Sequence, residues 1–313
     1  MSVEKKELAK ILLSGDPHLS SKNHGAHNDY PKESLYYYNL VGDIIEENEV
    51  THSVELGDFS FGRFHTLDYR SQVETALDRH LNIVNGNRWL IKGNHDQASY
   101  GMTEFEYYLG RNKFKGSQYM KIGNVNINMV DFGEYDTTDV ILGGEDEINV
   151  IITHGYFKFS DSNLPSYGDP IILDNYEKWF GVDYIISGHI HQEHMLQGHI
   201  QNSSGQKHPC VLHYLPCLTR PSYHGEDTAT KGSLVMLTIY DDNTMLYDCL
   251  DVELLPIEQS FNIALRNEEK EKQDRVRVDV TDVVEQLSSY KRTVGDPEAI
   301  IMSKEDIPRK YRD

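Results

Sequence analysis

The feature that most constrains the fold is a series of short apolar runs, each of which ends in glycine and a polar residue. The runs are ILLSGD, HSVELGD, RWLIKGNHD, INVIITHG and DYIISGHIH, and their polar ends carry Asp16, Asp58, Asp96, His154 and His191. Each apolar part is short and rich in Ile, Leu or Val, as is typical of strands covered on both faces. We therefore expect five buried strands, each of which ends in side chains that can bind a metal ion or transfer a proton.

Helical patterns separate the first three of these runs. Apolar residues recur at helical spacing in 33–49 and again in 69–85, and strand–helix alternation indicates an α/β fold. The later sequence predicts two hairpins, at 119–132 and 234–252, with turns at Gly123–Asn124 and at 241–243. Between them, PCVLHYLPCL predicts one more strand, so β structure dominates the second half.

The charge distribution divides the chain near residue 256. The 313 residues carry 30 Lys and Arg against 50 Asp and Glu, a formal net charge of −20, whereas 257–313 holds 11 basic and 13 acidic residues. A chain this acidic does not hold a nucleic-acid backbone by bulk charge, although it can concentrate divalent cations. We predict a catalytic domain at 1–256 and a charged C-terminal arm at 257–313, either a solvated extension or a partner-docking segment.

Cysteine usage and hydropathy bear on location. The three cysteines form no C-x-x-C pair and are odd in number, which favours a reducing compartment over a disulfide framework. The amino-terminal segment lacks the apolar run of a signal peptide, and no stretch approaches the roughly 20 apolar residues of a membrane span. We therefore expect a cytoplasmic protein without a membrane partner.

The residues that end the predicted strands can all bind a metal ion or move a proton. In an open α/β sheet, ligands bind beyond the carboxyl ends of the strands, so these side chains are expected to converge there. Carboxylate and amide oxygens combined with imidazoles suit Mn²⁺, Fe or Zn²⁺. Two cations roughly 3.5–4 Å apart need a bridging carboxylate, and Asp58, alone after its strand, is the natural bridge.

The motifs D-x-H, GD, GNHD, H and GH-x-H occur in this order between Leu12 and His191 and resemble those of the calcineurin-like metallophosphoesterase superfamily. The resemblance implies a two-sheet β-sandwich flanked by helices in four αββα layers. It also implies two divalent metal ions, Mn²⁺ first, with Fe or Zn²⁺ as alternatives. One ion would be bound by Asp16, His18 and His191, the other by Asn94, His154 and His189, and Asp58 would bridge them.

The resemblance implies a different role for the last two residues of GNHD. His95 would face the phosphate and protonate the leaving oxygen rather than bind metal. Asp96 would hold the His95 ring in its orientation, as carboxylates do for many catalytic imidazoles. The implied reaction is phosphodiester hydrolysis by metal-activated water without a covalent intermediate.

Within the superfamily the chain looks most like the SbcD-type nuclease of double-strand-break repair. GNHD, THG and GHIH support this, and the charged arm lies where that branch binds its SbcC-like ATPase subunit; a homodimer is also compatible. Two positions depart from the branch pattern. Phe61 stands where Asp or His is usual, and Pro216–Cys217–Leu218 replaces a Pro-Gly-Ser stretch.

These departures and the acidic charge leave two alternatives to a DNA nuclease. The first is a stand-alone phosphodiesterase or phosphatase that acts on nucleotides or other small phosphoesters. The second is a metal-binding scaffold without catalysis. The Ser/Thr protein phosphatase branch is disfavoured because its GNHE and GD-x-x-DRG motifs are absent from the sequence.

Overall fold

A computed structural model describes residues 5–23, 29–97, 101–164, 168–219 and 231–254. The predicted alternation of strands and helices at the start of the chain is confirmed. The elements are β1 (Glu7–Ser14), α1 (Tyr30–Glu47), β2 (His52–Glu55), α2 (Leu67–Ile83) and β3 (Arg88–Leu90). The three strands are parallel, so their carboxyl ends lie along one edge. The predicted arm at 257–313 lies outside the described residues.

The first sheet is completed by the predicted hairpin late in the chain. Strands β12 (Lys231–Tyr240) and β13 (Met245–Glu253) pair with each other, and β12 lies antiparallel to β1. The order across the sheet is β13-β12-β1-β2-β3. Strand β1 is therefore central, and its residues 11–14 are all buried.

The second sheet has six strands in the order β10-β11-β9-β6-β5-β4. Their bounds are β4 (Tyr119–Ile122), β5 (Val125–Val130), β6 (Ile148–His154), β9 (Tyr184–Gly188), β10 (His194–Gln201) and β11 (Lys207–Tyr214). A separate two-stranded sheet joins β7 (Phe157–Lys158) to β8 (Ile171–Ile172). Strands β5, β6 and β9 are parallel, so a second set of carboxyl ends is available at one edge.

The two sheets face each other across an apolar core. One buried cluster contains fully buried side chains from both sheets: Leu13 and Val235 from the first, and Ile127, Ile152 and Ile186 from the second. Removing such aliphatic side chains from water is the main favourable contribution to folding. The core fixes the two sheets against each other and so brings their carboxyl edges together.

The outer faces are covered differently. Helices α1 and α2, with the short α3 (Glu104–Gly110), pack on the first sheet. The second sheet is covered by the 3₁₀ turns Leu173–Asn175 and Glu177–Trp179, around the fully buried Trp179. The predicted α/β sandwich of two sheets with outer helical layers is confirmed, and no helix in the described ranges is long and apolar enough to cross a membrane.

A buried charged network lies beneath the helices. The guanidinium of Arg88, which is fully buried, contacts the carboxylate of Glu55 and the hydroxyl of Tyr38. The second guanidinium nitrogen donates to the Lys113 carbonyl at 3.3 Å. Because Glu55 ends β2 just before Asp58, this network anchors one of the chain segments that carry the predicted site.

Candidate metal centre

The predicted site residues follow the carboxyl ends of five parallel strands. They are Asp16 and His18 after β1, Asp58 after β2, Asn94, His95 and Asp96 after β3, His154 at the end of β6, and His189 and His191 after β9. The first three strands belong to one sheet and the last two to the other. The structure brings all of these segments to one place, between the edges of the two sheets.

Asn94, His154 and His189 form one half of the site. The Oδ1 of Asn94 lies 2.9 Å from Nε2 of His154 and 2.8 Å from Nδ1 of His189. The Nδ1–H of His154 donates to the Leu56 carbonyl at 2.7 Å, so Nε2 is the ring nitrogen that remains for a metal ion. The three donor atoms of Asn94, His154 and His189 lie close enough together that they would hold one cation.

Asp16, His18 and His191 form the other half. The Nε2 atoms of His18 and His191 are 3.1 Å apart, and Nε2 of His191 is 3.9 Å from Oδ2 of Asp16. One donor atom from each residue lies within 4.8 Å of the other two. Asp16 Oδ1, which lies 3.5 Å from Nδ1 of His154, is buried without a hydrogen-bond partner among the described residues. Orphaned buried polar atoms are rare and fit a bound ion.

The Asp58 carboxylate faces both halves. Its Oδ2 lies 3.8 Å from Nε2 of His18 and 3.4 Å from Nε2 of His154. Its Oδ1 accepts the backbone N–H of His95 at 2.8 Å, which fixes the plane of the carboxylate. This position between the two donor sets is the one that a bridging ligand requires.

The electrostatics of the site call for positive charge. Burial raises the pKa of Asp16, and the neighbouring charge of His154 only partly opposes the shift. Burial alone would lower the pKa of His154, but the carboxylates of Asp58 and Asp16 raise it to about 9. Burial and the charge of His154 lower the pKa of His189 to about 4. Buried carboxylates with a neutral imidazole beside them form a natural environment for divalent cations.

Three of the predicted ligands have a left-handed backbone. The φ angles are 46° at His18, 48° at Asp58 and 88° at His189. Side chains other than glycine rarely adopt positive φ, and such conformations cluster at functional sites where the surroundings enforce them. The backbone turns sharply at these residues and directs their side chains towards the shared centre.

Two glycines allow the ligand segments to approach closely. A Cβ at Gly93 would lie 2.2 Å from both the amide nitrogen and Oδ1 of Asp58. A Cβ at Gly188 would lie 2.2 Å from Oδ1 of Asp16. Both distances are far below van der Waals contact, so only glycine fits beside these carboxylates.

His95 lies at the mouth of the site. Its side chain is 42% exposed, and its Nε2 is 4.0 Å from Oδ2 of Asp58. Its ring centroid lies 5.3 Å from that of His18 and 5.2 Å from that of Phe61. The ring is therefore within reach of both the predicted metal position and solvent.

Asp96 occupies a different position from the one that the sequence predicted. It is fully buried and accepts backbone N–H groups from Phe59, at 3.1 and 3.2 Å, and from Gly93, at 2.9 Å. No hydrogen bond joins it to the ring of His95 within the described ranges. Burial, followed by the charge of Asp58, raises the pKa of Asp96 to about 7. Asp96 ties the segments after β2 and β3 together, because short loops at strand ends leave amides that need an acceptor.

Several contacts at the site were not predicted. The ring centroid of Phe132 lies 6.0 Å from that of His154 and 6.1 Å from that of His189. The Cys217 thiol lies 2.9 Å from the carbonyl oxygen of Asp16, so the segment that departs from the family pattern packs directly under a predicted ligand. The sequence signal that could have predicted this approach is the position of Phe132, two residues after the end of β5, a parallel strand of the second sheet.

A comparison with protein families identifies the chain. The model of the calcineurin-like phosphoesterases, described as "Metallophos", matches residues 9–193, which is more than half of the sequence and contains every predicted ligand. The chain belongs to the calcineurin-like phosphoesterase family. It is accordingly a metal-dependent phosphoesterase, and its donor clusters fit two divalent cations.

Two further comparisons add less. No curated protein matches this calcineurin-like phosphoesterase. Among solved structures, a dimetal phosphatase from Danio rerio matches with a TM-score of 0.46 and 14% identity, covering 80% of this chain and 100% of that one.

Proposed function

We propose that this calcineurin-like phosphoesterase hydrolyses phosphodiesters that carry an aromatic base close to the scissile phosphate. The observation that carries the proposal is the pair of phenylalanine rings on the two sides of the donor clusters. The ring centroid of Phe61 lies 5.2 Å from that of His95, and the centroid of Phe132 lies 6.0 Å from that of His154 and 6.1 Å from that of His189. Aromatic rings at this position suit stacking against a base, which every nucleotide supplies.

Each donor set has a defined task in this proposal. Asp16, His18 and His191 would hold one cation, Asn94, His154 and His189 would hold the other, and Asp58 lies between the two sets. When bound, two divalent cations lower the pKa of a water molecule towards neutrality and neutralise charge on the phosphate.

His95 acts on the substrate rather than on the cations. Its partly exposed ring lies 4.0 Å from the Asp58 carboxylate, close enough to the centre to reach a bound phosphate. In its protonated form it stabilises negative charge on the phosphoryl oxygens and donates a proton to the leaving oxygen.

If the substrate is a polymer, the proposed enzyme is a Mn²⁺-dependent DNA nuclease of the SbcD type. The order of the motifs and the charged arm at 257–313 support it, and the arm would dock an SbcC-like ATPase subunit that supplies the basic surface missing here. The cysteines at 210, 217 and 249 form no disulfide with one another, which supports a cytoplasmic location.

The second candidate is a phosphodiesterase for nucleotides or other small phosphoesters. The formal net charge of −20 favours it, because a long polyanion is repelled by a surface of the same sign while a small ester can reach the cations. Phe61 favours it too, because the nuclease branch usually has Asp or His at this position.

One activity panel distinguishes the candidates. Purified protein with Mn²⁺ is assayed on single- and double-stranded DNA, RNA, cyclic nucleotides, phosphomonoesters and bis-p-nitrophenyl phosphate, with Asp58→Asn as the inactive control. Cleavage of DNA supports the nuclease. Hydrolysis of bis-p-nitrophenyl phosphate without cleavage of DNA or RNA supports the small-substrate enzyme. Metal binding without hydrolysis of any phosphoester would leave only a non-catalytic scaffold.

A separate experiment tests the partner. The full chain and a variant that ends at residue 256 are used as baits for a purified SbcC-like ATPase. Recovery with the full chain alone supports docking through the arm, whereas equal recovery with both baits excludes that role. Light scattering of the same samples reports whether the chain forms a homodimer.

A further inference from the structure

A second cluster of metal-ligating side chains lies outside the phosphoesterase centre. Glu193, His213 and Cys249 each offer one donor atom, and the three atoms lie within 4.8 Å of one another. Glu193 precedes β10, His213 belongs to β11 of the second sheet, and Cys249 belongs to β13 of the first sheet. The cluster therefore joins the two sheets near one edge of the sandwich, where β13 is an edge strand and β11 lies next to one.

The imidazole of this cluster is held in a fixed orientation. His213 is 1% exposed, and its Nδ1 lies 2.6 Å from the hydroxyl of Tyr247. The Tyr247 ring in turn stacks on Tyr184, with centroids 5.6 Å apart and planes inclined by 20°. A ring nitrogen bonded to an oxygen leaves the opposite nitrogen directed at a ligand, which is the usual arrangement of metal-binding histidines.

The remaining donors face this imidazole. Nε2 of His213 lies 3.1 Å from Oε1 of Glu193. Cys249 follows Tyr247 by two residues on the same strand, so both side chains project from the same face of the sheet towards His213. Donors in a tetrahedral zinc site lie about 3.5 Å apart, so closing the cluster around an ion needs movements of about an ångström.

The charge around the thiol also favours a cation. Burial, followed by the negative charges of Glu193, Asp248 and Asp251, raises the pKa of the Cys249 thiol. The negative field that disfavours a free thiolate attracts a divalent ion, which binds the thiolate and releases its proton.

We propose that Glu193, His213 and Cys249 bind a thiophilic divalent cation of the zinc class, at a site separate from the phosphoesterase centre. One imidazole, one carboxylate and one thiolate form a borderline-soft donor set that selects Zn²⁺ over Mg²⁺ or Ca²⁺. Glu193 and Cys249 are exposed, so the fourth position is open to water. The bound ion would tie β11 and β13 to the segment that follows His191.

Cobalt substitution tests this site without reference to catalysis. Full-length reduced protein is titrated with Co²⁺, and the thiolate-to-cobalt charge-transfer absorption in the near ultraviolet is recorded. The wild type is expected to develop this band fully by three equivalents per chain, because the phosphoesterase centre takes up two Co²⁺ ions, and Cys249→Ser is expected to lose it. Cys217→Ser is the matched control, because Cys217 lies beside Asp16 at the phosphoesterase centre and is expected to leave the band unchanged.

Two further variants separate ligation from unfolding. Tyr247→Phe keeps all three donors but removes the hydrogen bond to His213, and we expect Co²⁺ binding about tenfold weaker. Zinc retained after dialysis is expected to fall by one ion per chain in Cys249→Ser, with the bis-p-nitrophenyl phosphate activity unchanged. A wild type without a charge-transfer band, or a band that persists in Cys249→Ser, would overturn the proposal.

Discussion

Substitution of Gly93 by alanine tests how tightly the site is packed around its bridging carboxylate. The added Cβ would lie 2.2 Å from both the amide nitrogen and Oδ1 of Asp58, whereas ordinary van der Waals contact begins at 3.4 Å. The Asp58 segment must therefore move by about an ångström, and a displacement of this size at a reacting centre lowers the rate about 100-fold. We expect Gly93→Ala to fold but to lose about 99% of kcat.

The assay is hydrolysis of bis-p-nitrophenyl phosphate at saturating Mn²⁺, with circular dichroism to confirm the fold. Gly116→Ala is the matched control, since its Cβ would meet only Leu109 Cδ1, at 3.7 Å, and Gly116 does not need a left-handed backbone. We expect this control to keep wild-type kcat. Activity of Gly93→Ala within about threefold of the wild type would refute the reasoning, because the carboxylate would then tolerate the displacement.

Three further predictions concern catalysis, stability and pH. His95→Asn is expected to lower kcat by about 10²–10⁴-fold with unchanged Mn²⁺ binding by calorimetry; loss of binding instead would make His95 a ligand. Arg88→Met leaves the buried Glu55 carboxylate without its guanidinium partner, so the free energy of unfolding in urea is expected to fall by about 3–5 kcal/mol. The double variant Arg88→Met/Glu55→Leu is expected to recover most of this loss. A loss below about 1 kcal/mol in the single variant would contradict the prediction. Burial, followed by the positive charges of Arg88 and Arg79, lowers the pKa of His80 well below 6.5 in the folded state. As the pH falls below 6.5, His80 is therefore protonated in the unfolded state but not in the folded state, and the free energy of unfolding decreases. His80→Phe should reduce this slope by up to about 1.4 kcal/mol per pH unit in urea titrations, and an unchanged slope would exclude His80 as its source.

The strands and hairpins could be predicted because their signals are local. Short runs of branched residues bounded by polar turns mark β1, β6 and β9, and the turn at Gly123–Asn124 has the chemistry that a tight hairpin requires. Strand β10 was not predicted, because HMLQGHIQ lies at the sheet edge, where only alternate side chains are partly buried. Helix α3 was missed as well, since its capping box at Thr103 and Glu106 encloses only seven residues.

The convergence of the predicted ligands could be predicted from the topology, whereas the contacts that neighbouring residues make with the ligand segments could not. Parallel strands end at a common edge, so Asp16, Asp58 and His154 had to meet once the sheets were correctly ordered. The role of Asp96 depends on which backbone amides the neighbouring loops leave unpaired, and sequence spacing carries no such information. The approach of Phe132 to His154 and His189 depends in the same way on how the sheets pack.

The most direct test of the account is an anomalous-difference map from crystals grown with Mn²⁺, measured at the manganese absorption edge. The account predicts two peaks roughly 3.5–4 Å apart with the Asp58 carboxylate between them. One peak should contact Asp16, His18 and His191, and the other should contact Asn94, His154 and His189. A single peak, or two peaks that do not share Asp58, would contradict the two-metal centre on which the proposed chemistry rests.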